Sequence, residues 1–402
     1  MTDRVVAEHI ARYFTSGSAI RRMFEEGLRL KASHGADAVA DLSIGNPDFD
    51  PPPEFLEALQ RVAALKGHHA YMPNAGYPHV RGRIADYLNQ HRYFDGITRD
   101  KIIMTTGAAG ALNIVLATLL ARGEEVIVIA PYFVEYRFYV EAHAGVVRLA
   151  DTDDHFDLDI DRIAGAITDK TRAVMVNSPN NPSGRVYSRS SLEKLAALLT
   201  AESERRGHPI FLISDEPYRE ILYTDEAFVS PASVYRNSFM CYSWSKSFSI
   251  SGERIGYVAI NPSLQTDDWG LLIGSLAMCN RSLGFVNAPA LMQKVIAESV
   301  DARVDISHYR EKRELLRQAL DDGGFEYADP DGTFYFFVRT PEAEVDFIDR
   351  ARKHLLLVVP GTDFGRPGYF RISYAAPRPT IELACRKLLD IAKEIAGEKV
   401  PA

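Results

Sequence analysis

From Lys101 onward, short runs rich in Val and Ile alternate with longer stretches whose apolar residues recur at helical spacing. Ile102-Ile103-Met104 precedes Ala111 to Leu120, Val126 to Ile129 precedes Val134 to His143, and Ala173 to Val176 precedes Ser191 to Ala201. A further run, Ile210 to Ile213, closes the series. Unbroken apolar runs suit strands covered on both faces, so the alternation predicts an α/β protein with a mostly parallel sheet between helices. Upstream, Ile20, Met23, Phe24, Leu28 and Leu30 mark an amphipathic helix over Ser18 to Ser33, with Ser18 as N-cap and Gly35 beyond its end. After about residue 265 the texture changes. A helix over Asp301 to Asp321 is followed by strands at Phe334 to Val338, Leu356 to Val359 and Phe370 to Ser373, and by a closing helix, Thr380 to Ile395. These predict a smaller α+β lobe.

A length of 402 residues exceeds what one core comfortably fills, so a second lobe is expected on size alone. With 46 Lys+Arg against 54 Asp+Glu the formal charge is -8, and no stretch gathers cations as a nucleic-acid footprint would. Cys241, Cys279 and Cys385 are too few and too far apart for a disulfide framework or a zinc site, which points to a reducing, cytoplasmic setting and no metal. Asp3, Arg4, Glu8 and Arg12 interrupt any signal-peptide core, and the longest apolar run, Ala108 to Ala121, is too short to span a bilayer, so no membrane partner is expected.

In such a sheet ligands sit beyond the carboxyl ends of the strands, so the residues that end each apolar run carry the information. Thr105-Thr106-Gly107-Ala108-Ala109-Gly110 opens a helix with small residues, which leaves N–H groups free for an anion or is a plain strand-to-helix turn. It lacks the glycine pattern of dinucleotide folds and the Lys of a P-loop. Asp215, ending Ile210 to Ser214 with Tyr218 three residues on, either faces a ligand or caps the next segment. Ser243-Trp244-Ser245-Lys246, with Arg254 eight residues beyond the lysine, combines hydroxyls and a guanidinium suited to a phosphate with an amine suited to a carbonyl. Asn177 to Gly184 reads as a turn-rich loop that is structural or ligand-facing, and Arg371 is either a surface residue of its strand or a carboxylate clamp.

In order, these pieces resemble the pyridoxal-phosphate aminotransferases of class I and II, the fold type I group of the aspartate aminotransferases. The likeness rests on Asn181-Pro182-Ser183-Gly184, then Asp215-x-x-Tyr218, Ser243-x-x-Lys246 with Arg254, and Arg371-x-Ser373, spread over most of the chain. Gly45-Asn46-Pro47, Tyr71 with Gly76, Pro131-Tyr132-Phe133 and Pro360-Gly361 agree with it.

The resemblance implies a seven-stranded sheet in a large domain over 51–290, an arm and part of a small domain over 1–50, and the rest of the small α+β domain over 291–402. It implies pyridoxal phosphate as cofactor, with Lys246 forming the internal aldimine and shuttling a proton, Asp215 pairing with the ring nitrogen, and Tyr218 and Asn181 bonding the ring's phenolic oxygen. The phosphate is then expected at Gly107, Ala108, Ala109, Ser243, Ser245 and Arg254, with Phe133, or less readily Tyr132, against the ring face. Arg371, aided by Gly45 and Asn181, is expected to clamp a substrate carboxylate. Tyr71 is expected to reach the phosphate of a neighbouring subunit, which implies a homodimer with shared sites. The activity implied is ping-pong transfer of an amino group from an L-amino acid to a 2-oxo acid; the same scaffold also serves lyases, decarboxylases and oxidase-type enzymes. Two departures stand out: Ala108-Ala109 offers the phosphate no hydroxyl, and no second carboxylate-binding arginine aligns, Arg281 being only in its general region.

Overall fold

The structure is a computed structural model that describes residues 5–15, 19–66 and 69–397. The proposed N-cap Ser18 lies outside the described residues, while the helix it was expected to open runs over Ala19–His34.

Seven strands form one sheet: β1 Ile102–Thr105, β2 Glu125–Ala130, β3 Val146–Asp151, β4 Thr171–Asn177, β5 Phe211–Asp215, β6 Ser238–Ser243 and β7 Gly256–Ile260. Their spatial order is β1-β7-β6-β5-β4-β2-β3. All neighbours are parallel except that β7 runs against both β1 and β6. Every strand but the edge strand β3 is buried almost throughout, which is why their sequences show unbroken apolar runs with no alternation. Helices cover both faces. On one side Val80, Ile84 and Val295 pack with Met240 and Tyr257, and on the other Ala111, Val115 and Leu276 pack with Ile213 and Val258.

The antiparallel β7 is a feature the strand-helix alternation did not show. After β6 the chain makes a loop and returns beside the strand it left, so both ends of that loop lie at one end of the sheet. Lys246 and Arg254 both sit in this hairpin connection, which runs from the end of β6 at Ser243 to the start of β7 at Gly256.

A second core joins Ala40 and Leu42 to Tyr309, Phe336, Phe347, Phe370 and Leu388. The closing helix, Arg378–Ile395, buries Ile381, Ala384, Leu388 and Ile391 on one stripe. Two expectations for this lobe are corrected. The helix expected from Asp301 begins at Ser307, because the Asp305 carboxylate accepts from the Ser307 N–H and hydroxyl, a local bond that competes with helix. The single strand expected over Leu356 to Val359 is divided: Leu356–Leu357 pairs in parallel with Ala40–Asp41, and Val359–Pro360 pairs antiparallel with Tyr369–Ser373. The first pairing draws the N-terminal segment into the small lobe and places Ser43 and Gly45 over the carboxyl ends of the large sheet. Helix Ala290–Ser299, by contrast, packs Met292, Val295 and Ile296 with Phe55 and Ile84 of the large lobe. Among the described residues no helix is long and apolar enough to cross a membrane.

Candidate active site

The strand register brings the candidate residues together. Asn177 of β4 lies opposite Asp215 of β5, and Ser243 of β6 lies opposite Gly256, which is also opposite Thr105 of β1. Above these ends is a cavity of about 310 Å³. Its wall includes Gly45, Ala108, Ala109, Phe133, Asn181, Asp215, Tyr218, Ser243, Ser245, Lys246, Arg254 and Arg371. Of the candidate site residues named from sequence, Gly107, one position before the wall, Tyr71, Tyr132 and Arg281 are outside it. Tyr71 is 92% exposed and lies beside Met72, Phe285 and Asn287 in a separate surface hollow.

Asp215 is buried, and its side chain does not cap a helix. Tyr136 Oη donates to Oδ2 at 2.6 Å, and the Asn177 side-chain amide donates to the Asp215 carbonyl at 2.9 Å. Oδ1 is buried with no partner. Burial pushes the carboxyl up to about 7, against the lowering effect of the Tyr136 hydrogen bond and with a small push from Glu216. Lys246 is half-buried, and its Nζ donates to the Gly45 carbonyl oxygen at 2.7 Å. Desolvation, followed by the charges of Arg371 and Arg254, pulls the amine down to about 8. The site thus holds an amine that can work as a neutral nucleophile near physiological pH and a carboxylate with one oxygen unspent.

The helix Gly107–Leu119 begins at the end of β1, and its first N–H groups point to the cavity floor formed by Ala108 and Ala109. Gly107 has φ +77, and a side chain there would meet Arg254 Nη2 at 2.7 Å, so the missing Cβ makes room for the guanidinium. Arg254 Nη1 donates to the Ser251 carbonyl at 2.9 Å and lies 3.4 Å from Ser245 Oγ. Gly256 performs a similar task one strand lower: a Cβ would come within 2.4 Å of the Tyr242 carbonyl and 2.8 Å of the Gly107 backbone. Two glycines therefore let the anion turn, the hairpin and the sheet approach at backbone contact.

Phe133 faces the cavity, whereas Tyr132 packs against Gly365 of the small lobe, which decides between the two candidates for the aromatic wall. Arg371 is 1% exposed. It donates to Asn181 Oδ1 at 3.0 Å and to the Ser43 carbonyl at 2.5 Å, and its Nε is buried without a partner. The surface-strand reading of Arg371 is excluded by that burial.

Several wall or support residues escaped sequence reasoning, Tyr335, Tyr136 and Ser43 among them. Tyr335 sits on the strand beside Arg371, its hydroxyl 3.2 Å from that of Tyr218, and the Arg371 guanidinium lies 4.5 Å from its ring centre. Only the strand pairing of the small lobe brings it here, so no local signal existed. Tyr136 is one helical turn beyond Phe133, and that spacing could have flagged it. Ser43 contributes only a backbone oxygen, which no side-chain motif reports. Arg281 ends the helix Trp269–Ser282 and is exposed, away from the cavity of its own chain.

The family defined as aminotransferase class I and II matches residues 37–388. A probable aspartate aminotransferase of Methanocaldococcus jannaschii is 33% identical over 369 residues, covering 88% of this chain and 92% of the relative. An aminotransferase structure from Eubacterium rectale superposes with TM-score 0.92 at 37% identity, over 97% of this chain and 99% of the other. An aspartate aminotransferase of Thermus thermophilus with maleate gives 0.82 at 31%, over 94% and 98%.

Proposed function

The chain belongs to the class I and II aminotransferases, and on that premise we propose that the cavity around Lys246 moves the amino group of an L-amino acid to a 2-oxo acid in two half-reactions. The observation that carries this reading is the grouping, in one cavity, of a desolvated, half-buried amine, a buried carboxylate with one free oxygen, and a buried arginine with an unspent N–H.

The family uses pyridoxal phosphate, and the residues present suit it. Asp215 Oδ1 lacks a partner where a protonated ring nitrogen would supply one, and the helix N-terminus with Ser243, Ser245 and Arg254 suits a phosphate. When bound, the cofactor offers an aldehyde to the amine and a ring that accepts the electron pair left at the substrate α-carbon. Lys246 would anchor it covalently and would be the group that takes a proton from and returns one to the substrate α-carbon; an amine held near 8 is suited to both tasks. Asp215 would keep the ring nitrogen protonated, Tyr218 and Asn181 would hold the phenolic oxygen, and Phe133 would cover the ring. Arg371 would bind the substrate carboxylate, using N–H groups that now donate to Asn181 and Ser43 and a buried Nε that has no partner among the described residues.

The exposure of Tyr71 and its distance from this cavity support a homodimer in which Tyr71 serves the partner's site. The packing of helix Ala290–Ser299 favours a division between the large and small lobes just after it, with the arm over 1–50 joined to the small lobe. Aspartate, named for the relatives, is the first donor to try. Three scattered cysteines, all free among the described residues, suit a cytoplasmic enzyme.

The test is Lys246→Ala, which should lose both the visible absorption of lysine-bound cofactor and turnover. Normal two-step kinetics in that variant would overturn the reading. An amino-donor screen with 2-oxoglutarate as common acceptor then identifies the substrate.

A further inference from the structure

Asp215 is 5% exposed and has two side-chain oxygens in different situations. Oδ2 receives the Tyr136 hydroxyl, and no other hydrogen bond to the carboxylate is present among the described residues; Oδ1 is left free toward the cavity. Because a buried carboxylate without donors reverts to its neutral form, that one bond both orients the group and favours its charge. Tyr136 is 1% exposed, and burial, then the charge of Asp215, raises its hydroxyl well above the ordinary tyrosine value. It is therefore a proton donor at every working pH. Its ring meets Phe133 edge-on, with centroids 5.6 Å apart and planes at 83°, so a single side chain touches both Asp215 and Phe133.

We propose that Tyr136 is a positioning residue for the cofactor: its hydroxyl locks the Asp215 carboxylate so that the ionised Oδ1 is presented to the ring nitrogen. This rests on the aminotransferase reading above. The surroundings leave little redundancy. Cys241 lies opposite Asp215 on β6 and has no charge to offer, Glu216 next to it repels, and the Tyr218 hydroxyl is paired with that of Tyr335. Among the described residues the Tyr136 hydroxyl is the donor that the Asp215 carboxylate receives.

Tyr136→Phe keeps the ring, its packing on Phe133 and the volume, and deletes only the hydroxyl. The experiment removes cofactor from the wild-type protein and the variant and measures rebinding of two probes, pyridoxal phosphate and its 1-deaza analogue, in which carbon replaces the ring nitrogen. Charge-assisted bonds of this kind are worth about ten- to a hundredfold in equilibrium constant, so Tyr136→Phe should weaken pyridoxal phosphate binding by roughly that factor. Its affinity for the deaza analogue should stay within about threefold of wild type, because that ligand makes no use of the Asp215 charge. Equal losses for both probes would show that Tyr136 acts through packing alone and overturn the proposal. Unchanged affinity for both would overturn it as well. Failure of the wild-type protein to bind pyridoxal phosphate at Lys246 is a different result, and it removes the aminotransferase assignment of the site together with this inference.

Discussion

Arg371 Nη1 donates to Asn181 Oδ1 at 3.0 Å, joining a small-lobe strand to the loop after β4. Both residues are buried, and the second guanidinium arm is held by the Ser43 carbonyl at 2.5 Å. The fork is thus aimed before a substrate arrives, and planar, two-point recognition of a carboxylate follows from its shape. Arg371→Lys preserves the charge but not the fork. We expect the KM for the amino acid and for the oxo acid to rise by about 10- to 100-fold, with cofactor absorption unchanged. Steady-state kinetics with both substrates checks this; an unaltered KM for both would remove the clamp assignment.

The burial of Lys246 has a consequence for stability. Its amine is near 8 in the folded chain against an ordinary 10.5, so the folded state holds fewer protons than the unfolded state between those values. Stability of the cofactor-free protein should accordingly rise with pH through that window, and below it the buried charge carries its full cost. Lys246→Met removes the charge. At pH 7 the cofactor-free variant should be more stable than wild type by roughly 1–3 kcal/mol, at about 1.4 kcal/mol per pH unit of displacement, and the gap should close as pH approaches 10.5. Urea unfolding at pH 7, 9 and 10.5 reads this directly; a gap that widens with pH contradicts it.

How much of this site was legible before the structure depended on whether the relevant contact was local. Lys246 and Arg254 share one hairpin loop, and Asp215 and Tyr218 share one turn, so their spacing carried the geometry. The loop Asn177 to Gly184 was placed by the strand that precedes it. Residues brought in by long-range pairing were invisible: Ala40–Asp41 meets Leu356–Leu357, and Tyr335 reaches Arg371 through antiparallel register. The reversed strand β7 was missed for a related reason. An apolar run reports burial, not direction, and Gly256 to Ile260 reads like any other buried strand.

Gly45 illustrates a long-range constraint that can be tested. A Cβ there would fall 1.8 Å from the Tyr335 hydroxyl and 2.6 Å from the ring carbon that bears it. Tyr335 cannot retreat easily, being packed against Tyr218 and Phe334 with Arg371 over its ring. Gly45→Ala should therefore displace the backbone whose carbonyl receives Lys246 Nζ. Overpacking of this kind costs about 1–3 kcal/mol, and a displacement near 1 Å at the reacting amine costs about 100-fold in kcat/KM. Combining it with Tyr335→Leu should return most of the lost melting temperature. If the single variant keeps wild-type kcat/KM, the contact is softer than its geometry implies.

Gly256 applies the same reasoning to the phosphate end, where the obstacles are backbone and cannot rotate away. Its Cβ would meet the Tyr242 carbonyl at 2.4 Å and the Gly107 carbonyl carbon and Cα at 2.8 and 2.9 Å. Relief must come from moving β7 from β6, or from lifting the turn that opens helix Gly107–Leu119. β7 is held on both sides by strand pairing, whereas the turn is held by single hydrogen bonds from the Thr105 hydroxyl and the Arg254 guanidinium, so the turn is expected to yield first. Lifting it separates the helix N–H groups from Ser243 and Arg254, the two other contributors to the anion site. Gly256→Ala should then weaken pyridoxal phosphate binding by about tenfold or more, since one charge-assisted bond alone is worth that much. Pyridoxal lacks the phosphate and should bind the variant nearly as it binds wild type. Comparing the two ligands by equilibrium dialysis separates a lifted phosphate turn from general loosening of the sheet, which would weaken both alike and would count against the turn as the yielding element.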